Sequence, residues 1–208
     1  TRFCQVTGVQ TCALPIYGVS SLTNVTLPST VKRIGASAFS RTNLAEISIP
    51  EGVEYIGSSA FGNIERLKKV TLPSSVTDAY NAFSGSRNLT DVKLGAGFTK
   101  LPDSFLSGTG ITEFVVPEGV TEIGSSAFSG NPQLTKITLP SSLKKIGSGA
   151  FYGTNLTSID LPEGLEEIGS EAFSGTKLTE LVLPSSLKRI DSFCQRSEER
   201  RVGKECRS

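Results

Sequence analysis

The chain has 208 residues, of which 37% are hydrophobic and 20% charged, with a formal net charge of +1. That length and balance suit one domain with a sizeable core and not a disordered chain. His, Met and Trp are absent, which removes the commonest general base and the commonest metal ligand together. No run of about 18 apolar residues is present, so no membrane span is expected. Neither an initiator Met nor a basic-then-apolar export segment opens the sequence, as expected of a piece of a longer product.

Taken in chain order, the first informative text is VTGVQTCALPI at residues 6–16, and the last is RSEERRVGKECRS at 196–208. Both resemble in-frame translations of the adapter oligonucleotides used to build short-read sequencing libraries. Residues 1–16 and 196–208 are therefore expected to be foreign, and 17–195 to be the native domain. Cys4, Cys12 and Cys206 fall in the foreign stretches, and Cys194 stands at an Ala position of the pattern below. The cysteine count thus indicates neither a disulfide framework nor a metal site. Between Tyr17 and Gln195 there are 15 Lys+Arg and 17 Asp+Glu, and 15 − 17 leaves −2. The basic tail RSEERRVGKECR loses its meaning as an arm, and nucleic acid is not an expected partner.

From Tyr17 onward the chain is a repeat. The motif L-x-x-I-x-L-P begins at Leu22, Leu44, Leu67, Leu89, Ile111, Leu134, Leu156 and Leu178, spaced by 22 or 23 residues. A second motif follows each copy, as in LPSSLKKIGSGAF from Leu139 to Phe151. In Leu156–Pro162, Ile159 and Leu161 alternate with Ser158 and Asp160, the two-residue period of a strand with one buried face. First strands are predicted at 23–27, 45–49, 68–72, 90–94, 112–116, 135–139, 157–161 and 179–183, all parallel and in sequence order. Leu165–Ile168 reads as a second short extended segment. Gly169 is expected to take a positive φ, and Ser170–Phe173 to close one helical or 3-10 turn.

Each coil buries its apolar side chains only by stacking on its neighbours. Phe39, Phe61, Phe83, Phe128, Phe151 and Phe173 are expected to form a continuous buried column. Two copies depart from the pattern. The fourth has Gly95 for Pro, Leu101-Pro102 for Ile-Gly and Phe105-Leu106 for Ala-Phe; the third is one residue short before Phe83 and has Ala79 at the Ile position. Those two rungs are expected to be the least regular. The corners alternate, Pro50-Glu-Gly against Pro73-Ser-Ser and Pro162-Glu-Gly against Pro184-Ser-Ser. So do the second strands of the last three coils, Lys144-Lys145, Glu166-Glu167 and Lys188-Arg189, which favours one register over a slipped one.

The pattern resembles the BspA-like, or Treponema-type, class of leucine-rich repeats, whose consensus is close to LxxIxLPxxLxxIGxxAF, and the resemblance covers 17–195. It implies a leucine-rich-repeat solenoid, a mostly-β right-handed coil of parallel strands with short second strands and one-turn helical or 3-10 segments. It also implies a secreted or cell-surface bacterial protein engaged in adhesion, binding a host or microbial surface or matrix protein. A structural spacer and an accessory module of a secreted enzyme are the alternatives. A monomer without cofactor is expected.

Catalysis finds no support in the residues. Without His, neither Ser-His-Asp nor Cys-His arrangements assemble, and adjacent carboxylates such as Glu166-Glu167 point to opposite faces of a strand. Asn24, Asn88 and Asn155 satisfy the glycosylation pattern but fall on the consensus boundary between coils. The outward positions of the first strands are the candidates for binding: Glu46, Lys69, Asp91, Lys93, Glu113, Lys136, Asp160 and Glu180. The repeat does not dictate their identities, and their irregularity is what a binding surface requires. A solvated strand face of high β propensity reads the same way at any single position.

Overall fold

Inward Leu and Ile alternating with outward Thr and charged residues cannot cover themselves, so successive copies stack. In the computed structural model, which describes residues 16–191, each copy is one turn of a parallel β-solenoid. Counting coils 1–8 from the motif starts, the strands are β1 (Arg33–Ile34), β2 (Glu46–Ser48), β3 (Tyr55–Ile56), β4 (Lys69–Leu72), β5 (Asp91–Leu94) and β6 (Lys100–Leu101). They continue as β7 (Glu113–Val115), β8 (Glu122–Ile123), β9 (Lys136–Thr138), β10 (Lys145–Ile146), β11 (Glu167–Ile168) and β12 (Arg189–Ile190). Every strand pairing is parallel. The second strands of coils 4–8 form one sheet in the order β6-β8-β10-β11-β12, and those of coils 1 and 2 pair as β1-β3. The first strands form two separate sheets, β2-β4-β5 and β7-β9.

The expected irregular rungs are where the sheets break. Coil 3 contributes only the isolated bridge Tyr55↔Asp78 on the second-strand side, where Ala79 replaces Ile. Coil 4 ends the first sheet. First strands expected at 23–27, 157–161 and 179–183 form no ladder. These lie at or next to the ends of the described array, where Val25, Leu27 and Leu181 are only half-buried and hold their backbones weakly against a neighbour. Ile159 is nevertheless buried, so the two-residue period survives there in the side chains.

The turn after each second strand differs from expectation. Among the described residues there is no helix. In coil 6, Ala150, Tyr152 and Thr154 donate their N–H groups to Gly147, Gly149 and Phe151 at 3.3, 3.0 and 3.2 Å. The alternate residues Gly149, Phe151 and Gly153 donate instead to Ser170, Ala172 and Ser174 of the next coil at 2.9, 2.8 and 2.9 Å. Alternating allegiance of this kind prevents a helix and welds one coil to the next. It requires left-handed backbone at two places per coil, taken by Gly149 (φ 60°) and Gly153 (φ 66°) and elsewhere by residues such as Ser126 (φ 55°) and Asn63 (φ 54°). The glycine after the second-strand Ile is not one of them, contrary to the reading of Gly169. Its role is close approach: a Cβ on Gly169 would stand 2.5 Å from the Ser148 nitrogen, and one on Gly147 2.6 Å from that of Ser125.

The core is continuous, but its aromatic column is not. Phe39, Phe61 and Phe83 stack at 5.1 and 5.7 Å, and Phe128, Phe151 and Phe173 at 5.5 Å each. Between them Leu106 takes the Phe slot, donating to the Ala127 carbonyl as Phe128 does to Ala150, while Phe105 takes the Ala slot and meets Phe83 edge-on at 5.8 Å. Phe173 is half-buried, and so is Ile16, which lies on the slot that precedes Tyr17-Gly18. The remaining residues expected to be foreign, and Cys194, lie outside the described residues.

The corner alternation is a hydrogen-bonded device. Gly52 donates its N–H to the Ser75 hydroxyl at 2.9 Å, and that hydroxyl donates to the Val53 carbonyl at 2.8 Å. Gly119–Ser142–Val120 repeats this at 3.1 and 2.8 Å, and Gly164–Ser186–Leu165 at 3.0 and 2.7 Å. Pro-Glu-Gly coils are thereby clipped to the Pro-Ser-Ser coils that follow them. Coil 4, with Gly95-Ala96-Gly97, has no serine to offer at this corner.

Phe151 is fully buried between two stacked rings. Phe151→Ala is expected to lower stability by about 3–5 kcal/mol in denaturant titration through lost burial and a cavity, and Phe173→Ala by less. Equal losses at the two positions would contradict this packing.

Candidate binding face

All eight outward candidates stand on the solvent side, Lys69 half-exposed and the rest exposed. Ladder register places Glu46 beside Lys69 and Lys69 beside Asp91. It likewise places Glu113 beside Lys136, and Lys93 beside Thr71. Asp160 and Glu180 lie on coils 7 and 8, off any ladder. The structure therefore gathers the first six on two short sheets and leaves the last two apart.

The two charged faces of the solenoid behave differently. On the second-strand face the charges form a ladder in register, Lys100–Glu122–Lys145–Glu167–Arg189. Contacts along it are 3.1 Å for Lys100–Glu122, 3.9 Å for Lys145–Glu122 and 3.7 Å for Lys145–Glu167. Glu166 sits alongside, 3.9 Å from Lys144 and 2.6 Å from Lys188. The side chains are 30–70% exposed, so solvent screens each pair and its contribution to stability is small. Among the described residues every ion pair within 4.0 Å belongs to this face. None involves the eight first-strand candidates.

The hydrogen bond from Lys188 and its charge hold the Glu166 carboxyl below its ordinary value of 4.5, opposed by desolvation and aided last by the charge of Lys144.

The first-strand face carries an opening. β5 and β7 belong to consecutive coils, yet no Cα of one comes within 8 Å of the other, whereas paired strands lie roughly 4.8 Å apart. The coils meet again on both sides of it, at Gly110 N–H to Leu89 C=O (3.0 Å) and Thr121 N–H to Thr99 C=O (2.8 Å). Two departures from the repeat lie beside it. Phe98 occupies an inward slot that holds Leu or Val in other copies and Phe114 one that holds Ile, Val or Leu, and their rings pack at 6.0 Å on Phe105 and 5.2 Å on Phe128. Gly95 and Gly97 let coil 4 sink onto coil 3, since a Cβ at either would collide with Ser74. The opening is a depression lined by Thr90, Asp91, Val92, Glu113, Phe114 and Lys136. Val92 and Leu94 are half-exposed there, while the equivalent Val70 and Leu72 are buried.

Asn88 and Asn155 donate their side-chain amides to the carbonyls of Glu65 (2.5 Å) and Pro132 (2.7 Å) in the preceding coil. Their consensus asparagines thus serve as inter-coil clips. Among the described residues no group of three or more Cys, Asp or Glu is placed to hold a metal ion, and no helix is long and apolar enough to cross a membrane.

The family described as BspA type leucine rich repeat region matches residues 16–135 and 121–199. The chain belongs to this family. No curated protein matches it. Among solved structures, a BspA-type chain of this length aligns with a leucine-rich repeat protein from Eubacterium ventriosum at 27% identity and TM-score 0.62, covering 74% of this chain and 43% of that one. A leucine rich cell surface protein from Faecalibacterium prausnitzii aligns at 32% identity and TM-score 0.60, covering 81% and 45%. The pneumococcal vaccine antigen PcpA aligns at 30% identity and TM-score 0.53, covering 77% and 50%. The chain thus spans no more than half the length of these three proteins.

Because the Glu166 carboxyl is shifted downward, its contribution to folding is present above its unfolded pKa and is lost as pH falls through the folded one. Lys188→Met is expected to move the Glu166 side-chain titration, followed by NMR, back up toward 4.5. An unchanged titration would contradict the Lys188–Glu166 pair.

Proposed function

We propose that this BspA-type array is a non-catalytic, protein-binding segment of a secreted or cell-surface bacterial protein, and that it binds through the outward face of its first strands. The observation that carries the reading is the contrast between the two charged faces. In coils 4–8 the second-strand charges neutralise one another along the coils, whereas those of Glu46, Lys69, Asp91, Lys93, Glu113 and Lys136 make no ion pair among the described residues. Charges that the fold does not use remain available to a partner, where they set orientation and association rate. A solenoid sheet offers them over several coils, which favours a broad contact with a matrix or surface protein. The Faecalibacterium prausnitzii relative is named a cell surface protein, which supports the location.

The test is binding of the full chain to immobilised fibronectin, fibrinogen and a glycan panel, beside a variant with Lys69, Asp91, Lys93, Glu113 and Lys136 changed to Ser or Thr. The native chain is expected to bind a protein probe and the variant to lose at least about tenfold in affinity, with its circular dichroism unchanged. Equal binding by both, or no binding of any protein by the native chain, overturns the reading.

A further inference from the structure

We propose that the opening between coils 4 and 5 accepts an extended peptide of the pattern basic–apolar–x–apolar, inserted as a parallel strand between β5 and β7. The proposal rests on the protein-binding reading and names the kind of segment a partner would supply.

The opening is wide enough for an added strand. A strand inserted into a sheet needs its two flanking strands roughly 9.6 Å apart, twice the ordinary spacing. β5 and β7 lie more than 8 Å apart, while their coils remain joined on either side of the opening by the Gly110–Leu89 and Thr121–Thr99 bonds.

Its rims also carry unused backbone groups. In a parallel ladder successive residues turn their N–H and C=O groups to opposite sides. Asp91 and Gly95 donate toward coil 3, to Lys68 and Leu72, so the groups of Val92 and Leu94 face the opening. Val116 donates to Thr138 of coil 6, so those of Glu113 and Val115 face it from the other side. Both rims are therefore strand edges of the kind that recruits an added strand.

Charge and burial specify the occupant. Along the outward column the signs run Glu46, Lys69, Asp91, opening, Glu113, Lys136. Two carboxylates face each other across the opening, and a Lys or Arg between them restores the alternation, since unlike charges directly opposite stabilise a pair and like charges destabilise it. The next residue of an inserted strand points inward between Val92 and Phe114. The third points outward beside Lys93 and Val115, and the fourth inward between Leu94 and Val116. The half-exposed Val92 and Leu94 would be covered by apolar side chains at the second and fourth positions. The protein contains its own precedent in β4, Lys69-Val70-Thr71-Leu72, which sits between Glu46 and Asp91 in the intact sheet.

The probe is a fluorescein-labelled peptide with the sequence of residues 67–73, LKKVTLP, titrated with the full chain and read by anisotropy. Its partners are the same peptide with the second Lys changed to Glu, and one N-methylated at two alternate amides. The native chain is expected to prefer the lysine peptide by about tenfold or more and to ignore the N-methylated one. In the Asp91→Lys, Glu113→Lys chain, whose changes lie on the solvent side, the preference is expected to reverse. Phe114→Ile, which restores the ordinary inward residue, is expected to close the opening and lose the peptide. Equal binding of the three peptides, an unreversed preference, or retention by a folded Phe114→Ile chain overturns the proposal. Loss of matrix-protein binding in the five-site variant without any peptide discrimination leaves the sheet reading standing and removes the inserted strand. Peptide discrimination without matrix-protein binding keeps the inserted strand and removes matrix proteins as the ligand.

Discussion

A single coil of this chain has no interior of its own, and everything else follows from how closely the next coil can approach. Backbone sets that distance: alternate N–H groups in each turn leave their own coil and donate to the next, as Phe128 does to Ala150 and Phe151 to Ala172. Glycine at 147 and 169 removes the side chain that would hold the coils apart. Once stacked, the inward Leu, Ile and Phe close over one another, and about 25 cal/mol per Å² of buried apolar surface becomes available to offset chain entropy. Because contacts run between neighbours, a change in one coil is felt at its two borders and little further.

That locality explains how the array carries a defect without unfolding. Coil 4 has two glycines that let it approach coil 3 closely, and the enlarged inward residues Phe98 and Phe114 stand one in coil 4 and one in coil 5. The second-strand sheet runs through the same place unbroken, from β6 to β8. At this place one edge of the solenoid is thus held by backbone ladder and an ion pair, and the other is open. The faces divide along the same line: charges on the closed edge are spent in register, and those on the opening edge face solvent.

Most of the fold was legible in the sequence because the inward positions repeat at fixed spacing and tolerate few residue types. The irregularity of coil 4 was legible too, from Gly95 and Phe105-Leu106, as was that of coil 3 from Ala79. The opening itself was not. Phe98 and Phe114 are apolar residues in apolar slots, so hydrophobic patterning accepts them; only their volume distinguishes them, and its effect depends on the neighbouring coil. The separate fates of the two charged columns were equally hidden, since both alternate in sign and reach decides which pairs close. The glycine after Ile was misread because a turn and a close approach ask for the same residue.

The central claim is that the first-strand sheet is interrupted between coils 4 and 5 while the second-strand ladder runs through the same place from β6 to β8. Residue-resolved amide hydrogen exchange of the free chain tests it most directly. The N–H groups of Val92, Leu94, Glu113 and Val115 should exchange at least about a hundredfold faster than those of Phe128, Gly147 and Phe151, which donate across coils, because exchange of a bonded amide waits for opening of the ladder. Comparable protection at both sets of amides would contradict the account.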